Sequence, residues 1–306
     1  MPPVRTLVNR CRDFRRVAVR WLPRPLRAAS GTTACQHRSA CEVAEDCTTG
    51  KQQPQQVEGC TESPYGLDIR SSAADDVHHD PDNLPLFRTA AESVSKRVAS
   101  GLREAPELRV LDLGSGSGIW GLLVAARLRQ TVELERHTIR LVFADVAKSS
   151  VDLSLANAAR SREALNSAHA DAFVFDGFVG DMFDAVLYRT MLPGGRLMRR
   201  ERLKDQQPFD VILFNPPQTG GHDAFRTSRY ALEKYGGEDG SLYYRRFARE
   251  VGSLAHDKTA CVFAQIGLAN PARVERSFRS AGFDSITELA RQQRTTTVSE
   301  HITARY

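Results

Sequence analysis

The sequence predicts an α/β fold, a mostly parallel sheet flanked by helices, with a disordered N-terminal extension ahead of it. Three observations carry that expectation. A short apolar strand at Val110, Leu111 and Leu113 runs into Gly114, Gly116 and Gly118, and a helical apolar pattern begins at Ile119. Strand-like and helix-like stretches alternate beyond it. A second apolar strand, Phe209 to Phe214, opens into the rigid turn Asn215-Pro216-Pro217-Gln218.

Taken in order, residues 1–30 show an amphipathic helical stripe of Val4, Leu7, Val8, Cys11, Phe14, Ala18, Trp21 and Leu22, with Arg10, Arg12, Arg16 and Arg20 mostly off it. An Arg-rich, acid-poor, amphipathic leader fits an organelle transit peptide, which would put the protein in the mitochondrial matrix; otherwise a cytoplasmic location is expected. A basic tail without structure is the plainer reading. Residues 31–80 are rich in Ser, Thr, Gln, Asp and Gly without periodicity, and read as a disordered linker. The folded unit is then 81–306. Leu86, Phe87, Ala90, Val94 and Val98 give a helix over Leu84–Leu102, with Pro81 and Pro85 at its start.

The glycine turn comes next. Glycine permits the tight turn and lets a ligand lie against bare backbone, and the helix N-terminus offers free N–H groups. Gly116, Gly118 and Gly121 have the G-x-G-x-x-G spacing of a dinucleotide site. Asp112 argues otherwise, because its carboxylate would repel a pyrophosphate and welcome an ammonium. A turn that binds nothing is the third reading.

A helix follows over Ile119–Arg129, then a strand over 139–144 that ends at Asp145. A carboxylate at that tip suits the two hydroxyls of a ribose, or caps the helix expected over 149–160. Phe173–Phe175 is a third strand, and Gly180-Asp181-Met182-Phe183 comes just after it. Asp181 can accept from an adenine amino group and Phe183 can wall the ring; a polar loop with a core Phe is the alternative. Arg196, Arg199, Arg200, Arg202 and Lys204 form a basic run, read as a solvated helix face or a contact for an anionic partner.

After strand four, two prolines remove N–H donors and leave carbonyls exposed beside the Asn215 amide. That arrangement can accept hydrogen bonds from a substrate NH₂ and hold its nitrogen toward a methyl donor. A helix over about 241–254, capped by Asp239 or Ser241, precedes a fifth strand at 259–266. Arg273–Ala281 is a helix closed by Gly282, and 283–290 with 294–304 reads as a closing antiparallel pair.

Bulk properties narrow the field. The net charge of +5 comes from residues 1–30, which hold eight Arg, no Lys and one acid, Asp13; the remaining 276 residues carry −2. The body is not a generally basic nucleic-acid binder. No apolar run approaches a membrane span. Five of six cysteines precede the domain, and Cys261 falls in a buried strand pattern. Cys35, His37, Cys41 and Cys47 lack the close pairs of common zinc modules, so no metal site is expected.

With Asp112-x-Gly114-x-Gly116-x-Gly118, Asp145, Gly180-Asp181 and Asn215-Pro-Pro together, residues 105–306 resemble a class I S-adenosylmethionine (SAM) methyltransferase, a Rossmann-like fold. The pattern is similar to the HemK-type release-factor glutamine methyltransferases, whose Gly-Gly-x-Asp-Gly segment and Tyr-Arg-bearing helix correspond to Gly236–Gly240 and Tyr244-Arg245. The resemblance implies a seven-stranded sheet with the last strand antiparallel. It implies a SAM site of Asp112, Gly114, Gly116, Gly118, Asp145, Asp181 and Phe183 beside Asn215, with Asn215, Pro216 and Gln218 positioning the acceptor. Gln218 departs from the family, where an aromatic ring ends the motif. A polar Gln at the acceptor mouth suits a small polar substrate, such as an amino acid; methionine S-methylation is the example. The alternatives are a protein glutamine and a nucleic acid.

Overall fold

A computed structural model describes residues 15–20, 60–62, 64–71, 83–100, 106–131, 137–165, 172–189, 201–202, 207–221, 234–266, 269–283 and 285–291. In chain order the strands are β1 (Arg15–Arg20), β2 (Cys60–Glu62), β3 (Asp68–Arg70), β4 (Glu107–Leu113), β5 (Thr138–Asp145), β6 (Phe173–Val179), β7 (Phe209–Phe214), β8 (Ala255–Gln265) and β9 (Ser285–Ala290). A two-residue pair, Tyr188–Arg189 with Glu201–Arg202, stands apart from these. The helices are α1 (Leu84–Ser100), α2 (Ile119–Thr131), α3 (Lys148–Arg160), α4 (Leu242–Glu250) and α5 (Pro271–Ser280), besides shorter turns.

The body is a parallel sheet of five strands in the order β8-β7-β4-β5-β6. The central strands β4, β5 and β7 are buried over most of their length on both faces, as inner parallel strands are, while the edge strand β6 is half-buried. Alternate side chains feed two cores. Val110, Leu141 and Val262 face one with α1, α2 and α3. Leu111, Val142 and Phe263 face the other with α4 and α5. The second core is strongly aromatic: Phe214 stacks on Phe247, and Phe263 on Phe278. Cys261 is buried, as its strand pattern suggests.

The five-strand body starts at β4 and builds outward through β5 and β6. It then returns to the other side of β4 for β7 and β8. The reversal lies between β4 and β7, where Leu113 pairs with Phe214. At such a point neighbouring strand-end loops diverge to opposite faces, and a crevice opens for a ligand.

Three expectations fail here. Residues 64–71 are not a disordered linker. Leu67 and Ile69 are buried in the first core, and β2 and β3 form an antiparallel hairpin. The alternation of Leu67 and Ile69 with polar neighbours is a strand pattern, hidden by a polar composition. Of residues 1–30 only Arg15–Arg20 is described, and there a strand that pairs in parallel with β8 and with β9 stands in place of the expected helical stripe; the rest of that stretch lies outside the described residues. Arg-Arg-Val-Ala-Val-Arg carries two β-branched residues at alternate positions, which suits a strand as well as a stripe. The antiparallel last strand is not reproduced: β9 lies parallel to its neighbour β1. Residues 294–304, Cys35, His37, Cys41, Cys47 and most of the basic run at 196–204 lie outside the described residues. Among the described residues, no helix is long and apolar enough to cross a membrane, and no cluster of three His, Cys, Asp or Glu could hold a metal.

Candidate active site

The glycine turn is built by backbone geometry first. Gly114, Gly116 and Gly118 have φ of 71°, 53° and 75°, the left-handed region that a side chain disfavours. Three such residues alternating with serines coil the chain tightly between β4 and α2. Gly114 and Ser115 both donate to the Ala144 carbonyl, at 2.7 and 3.2 Å, so the turn is anchored on the neighbouring strand.

The two acids expected at this site hold the turn from behind. Asp112 is 3% exposed, and its Oδ2 accepts from the Gly121 N–H at 2.9 Å. Burial pushes its carboxyl up to about 7, against the Gly121 hydrogen bond and helped by the nearby Asp145 charge. Asp145 Oδ2 accepts from the Gly116 N–H at 3.0 Å, and its Oδ1 accepts from the Ala147 N–H at 2.9 Å, at the start of α3. Burial raises its carboxyl too, opposed by these N–H donors. The Val146 N–H and the Ser150 hydroxyl also reach this carboxylate, so Asp145 ties the glycine turn to the start of α3.

Two residues that sequence reasoning missed complete the support. Ser154 Oγ lies 3.0 Å from the Gly116 carbonyl and 3.1 Å from Ser115 Oγ. Asn157 Nδ2 donates to the Ser117 carbonyl at 2.8 Å and to the Arg70 carbonyl at 3.0 Å, while its Oδ1 accepts from the Arg70 N–H at 3.0 Å. Asn157 therefore ties the glycine turn to β3. The only available signal was polarity at buried positions of a helix, which becomes visible once the helix faces are known.

Phe183 does not sit as expected, and Asp181 is engaged by a neighbouring helix. The Asp181 carboxylate is 57% exposed and receives Arg246 Nη1 at 2.5 Å, an ion pair reaching from α4. Phe183 is fully buried against Phe247 in the second core, with ring centroids 5.4 Å apart. A ring with no exposed face cannot wall a ligand; the core reading is the correct one. The exposed apolar surface nearby belongs to Val146 and Val179, 55% and 49% exposed at the ends of β5 and β6. Val179 pairs with Asp145, which places both valines beside that acid. An apolar residue directly after the acid at a strand end was the missed signal.

The Asn-Pro-Pro turn lies across the crevice from the glycines. A Cβ built on Gly114 would stand 4.0 Å from the Asn215 carbonyl oxygen, so the two motifs adjoin. Pro216 is buried and Asn215 half-buried. Gln218 is not at an open mouth. Its Oε1 accepts from Tyr244 Oη at 2.6 Å and from the Ile266 N–H at 2.7 Å, and its Nε2 donates to Asn215 Oδ1 at 3.2 Å. Tyr244 is fully buried, which raises its hydroxyl well above the usual range and keeps it neutral.

The Gly236–Gly240 segment packs on this turn. Gly236 N–H donates to the Thr219 carbonyl at 2.9 Å, and a Cβ on Gly236 would come within 2.6 Å of Gln218 Cα. Asp239 holds the segment in place: its Oδ1 accepts from Ser241 N and Oγ at 3.1 and 2.6 Å, and its Oδ2 from Asn270 and Arg273 at 3.0 and 2.9 Å. Burial pushes the Asp239 carboxyl up, but Ser241 and Arg273 outweigh it and hold it down at about 2. Ser241 is the N-cap residue of α4, without a side-chain cap bond.

No family model matches the sequence. The chain is 25% identical over 181 residues to the release factor glutamine methyltransferase of Bacillus cereus, covering 57% of this chain and 52% of that protein. It thus spans about half the length of the curated relative it matches. Among solved structures, a Plasmodium falciparum protein designated a protein-L-isoaspartate O-methyltransferase, in complex with S-adenosyl-L-homocysteine, is 21% identical, with a TM-score of 0.25 over 44% of this chain and 50% of that one. An arsenic(III) S-adenosylmethionine methyltransferase from Chlamydomonas reinhardtii is 14% identical, with a TM-score of 0.26 over 58% of this chain and 52% of that one. All three are methyltransferases.

Proposed function

We propose that the chain is a SAM-dependent methyltransferase whose acceptor is a planar amide nitrogen, with a protein glutamine side chain as the leading candidate. The observation that carries this reading is the adjacency of the glycine turn and the Asn-Pro-Pro carbonyls at the reversal of the sheet. Bare glycine backbone, the half-buried Asp145 and the exposed Val146 and Val179 suit a ribose and an adenine. The glutamine methyltransferase likeness supports the choice of acceptor.

SAM bound there supplies an electrophilic methyl on a positively charged sulfur, which is a strong leaving group. The chain's own part is to hold the nucleophile. Asn215 Oδ1 and the Pro216 carbonyl accept the two N–H bonds of an amide NH₂ and turn its lone pair toward the methyl. With SAM in place, the nitrogen held by Asn215 and Pro216 would take the methyl and give up a proton to water, the S–C electron pair leaving with sulfur. Rate would come mainly from proximity and alignment. A small polar acceptor loses its main ground, because the Gln218 amide is engaged inside the protein.

The test is transfer from methyl-labelled SAM to an acetylated peptide carrying one central glutamine, beside a panel of free amino acids including methionine and glutamine. Label on the glutamine peptide supports the reading; label only on free methionine overturns the choice of acceptor. Asn215→Ala should lower kcat about 100-fold with SAM affinity nearly intact. Equal loss of both would make the residue structural.

A further inference from the structure

We infer that Gln218 is a positioning residue that fixes which way the Asn215 amide faces, and that one backbone N–H, Ile266, sets the sense of both amides. This rests on the proposed amide-nitrogen acceptor for its functional consequence, but the geometry stands by itself.

The argument is one of donors and acceptors. An amide can be turned over with little change of shape, so its orientation comes from its partners. Tyr244 has one proton facing two acceptors, Gln218 Oε1 and the Ala264 carbonyl, and shares it between them, so it does not set the sense alone. Ile266 does decide, because a backbone N–H only donates. The Gln218 atom 2.7 Å from it is therefore oxygen. The other terminus is nitrogen, which only donates, so the Asn215 atom 3.2 Å from it is oxygen. Asn215 Nδ2 is turned away, and Oδ1 keeps a lone pair for a ligand N–H.

The geometry around Gln218 leaves it little freedom. Tyr244 is edge-on to Phe214 and Phe263 in the aromatic core. Gly236 and Gly240 press on the Gln218 backbone so closely that neither accepts a Cβ. An aromatic residue at this position would wall an acceptor; here the position orients the residue that binds one.

Gln218→Glu tests the orientation. The carboxylate keeps the Ile266 and Tyr244 bonds, but its second oxygen then faces Asn215 Oδ1, acceptor against acceptor. Asn215 must turn over to offer Nδ2. When the Glu is protonated its hydroxyl donates to Oδ1 and the native orientation returns. With the glutamine peptide as probe, the variant should lose about 100-fold in kcat at pH 8, with SAM affinity by calorimetry within threefold of the parent. The ratio of variant to parent activity should rise at least about tenfold from pH 8 to pH 5, toward the ordinary Glu range near 4.3. A flat ratio, or near-parental kcat at pH 8, overturns the inference. If the parent labels no glutamine peptide, the proposed acceptor fails by itself, and the orientation is read by NMR. The Asn215 side-chain amide signal, assigned by its absence in Asn215→Asp, should have an order parameter near about 0.85 in the parent and below about 0.6 in Gln218→Met. An unchanged value in Gln218→Met overturns the inference.

Discussion

Alanine at Gly118 and alanine at Gly114 should damage the protein in opposite ways. Both glycines have φ above 70°, and an L-residue there costs about 1–2 kcal/mol. Their surroundings differ. A Cβ on Gly118 would meet Phe143 Cε1 at 2.9 Å and Ser154 Cβ and Oγ at 3.0 Å, and both residues are fully buried. Phe143 lies within β5 and cannot retreat, so overpacking adds about 1–3 kcal/mol. The total for Gly118→Ala is about 2–5 kcal/mol, a fall in Tm of about 10 °C for a domain of this size. A Cβ on Gly114 meets nothing nearer than the Asn215 carbonyl at 4.0 Å. Gly114→Ala therefore carries only the backbone term, a fall of about 3–5 °C, but its methyl stands in the crevice. Scanning calorimetry and SAM titration calorimetry read the two effects separately. Gly118→Ala should be the less stable and Gly114→Ala the weaker SAM binder. The reverse order in both assays would refute the assignment of the crevice.

Other perturbations follow from the same geometry. Asp112→Asn keeps an oxygen for the Gly121 N–H and removes the buried charge. The folded carboxyl titrates at about 7, above its unfolded value near 3.8, so the native state holds its proton longer and wild-type stability falls as pH rises through that window. The variant's Tm advantage should be absent at pH 4 and largest above pH 7; a constant offset would argue against a buried charge. Asn157→Ala strands the Arg70 N–H and the Arg70 and Ser117 carbonyls, and should cost about 2–4 kcal/mol by denaturant titration, with weaker SAM binding. Arg246→Gln breaks a partly exposed ion pair to Asp181 and should shift Tm by under about 3 °C. Calorimetry should then show SAM bound more tightly, because the Asp181 carboxylate is released; weaker binding would remove Asp181 from the adenine contacts.

The five-strand body was legible because its strands carry dense apolar runs, such as Leu141–Ala144 in β5 and Val211–Phe214 in β7. Phe209–Phe214 was bounded at both ends by its own sequence, since Pro208 precedes it and Asn-Pro-Pro ends it. The glycine turn was legible because three glycines at alternate positions have few other uses. What failed depended on partners distant in sequence. Gln218 read as an open polar group because Tyr244 and Ile266, its partners, lie 26 and 48 residues on. Phe183 read as a wall because nothing local showed that α4 would cover it with Phe247. Leu67 and Ile69 were lost in a polar stretch, two apolar residues being too few for a periodicity to stand out. Asp112 and Asp145 were found, but their bonds to backbone N–H groups depend on a turn geometry that composition does not reveal.

The bond set of Asn157 also bears on where the smallest self-sufficient piece of this protein begins. A fragment cut at residue 81, where the apolar patterns start, would open the slots of Leu67 and Ile69 to water. Each slot is worth about 1.5–3 kcal/mol of side-chain burial, and the Asn157 amide would face solvent with only one of its three backbone partners. The loss would reach the serine carbonyl inside the glycine turn, so such a fragment would weaken its grip on a nucleoside before it unfolded. Anyone trimming this chain should leave the stretch from about residue 60 in place.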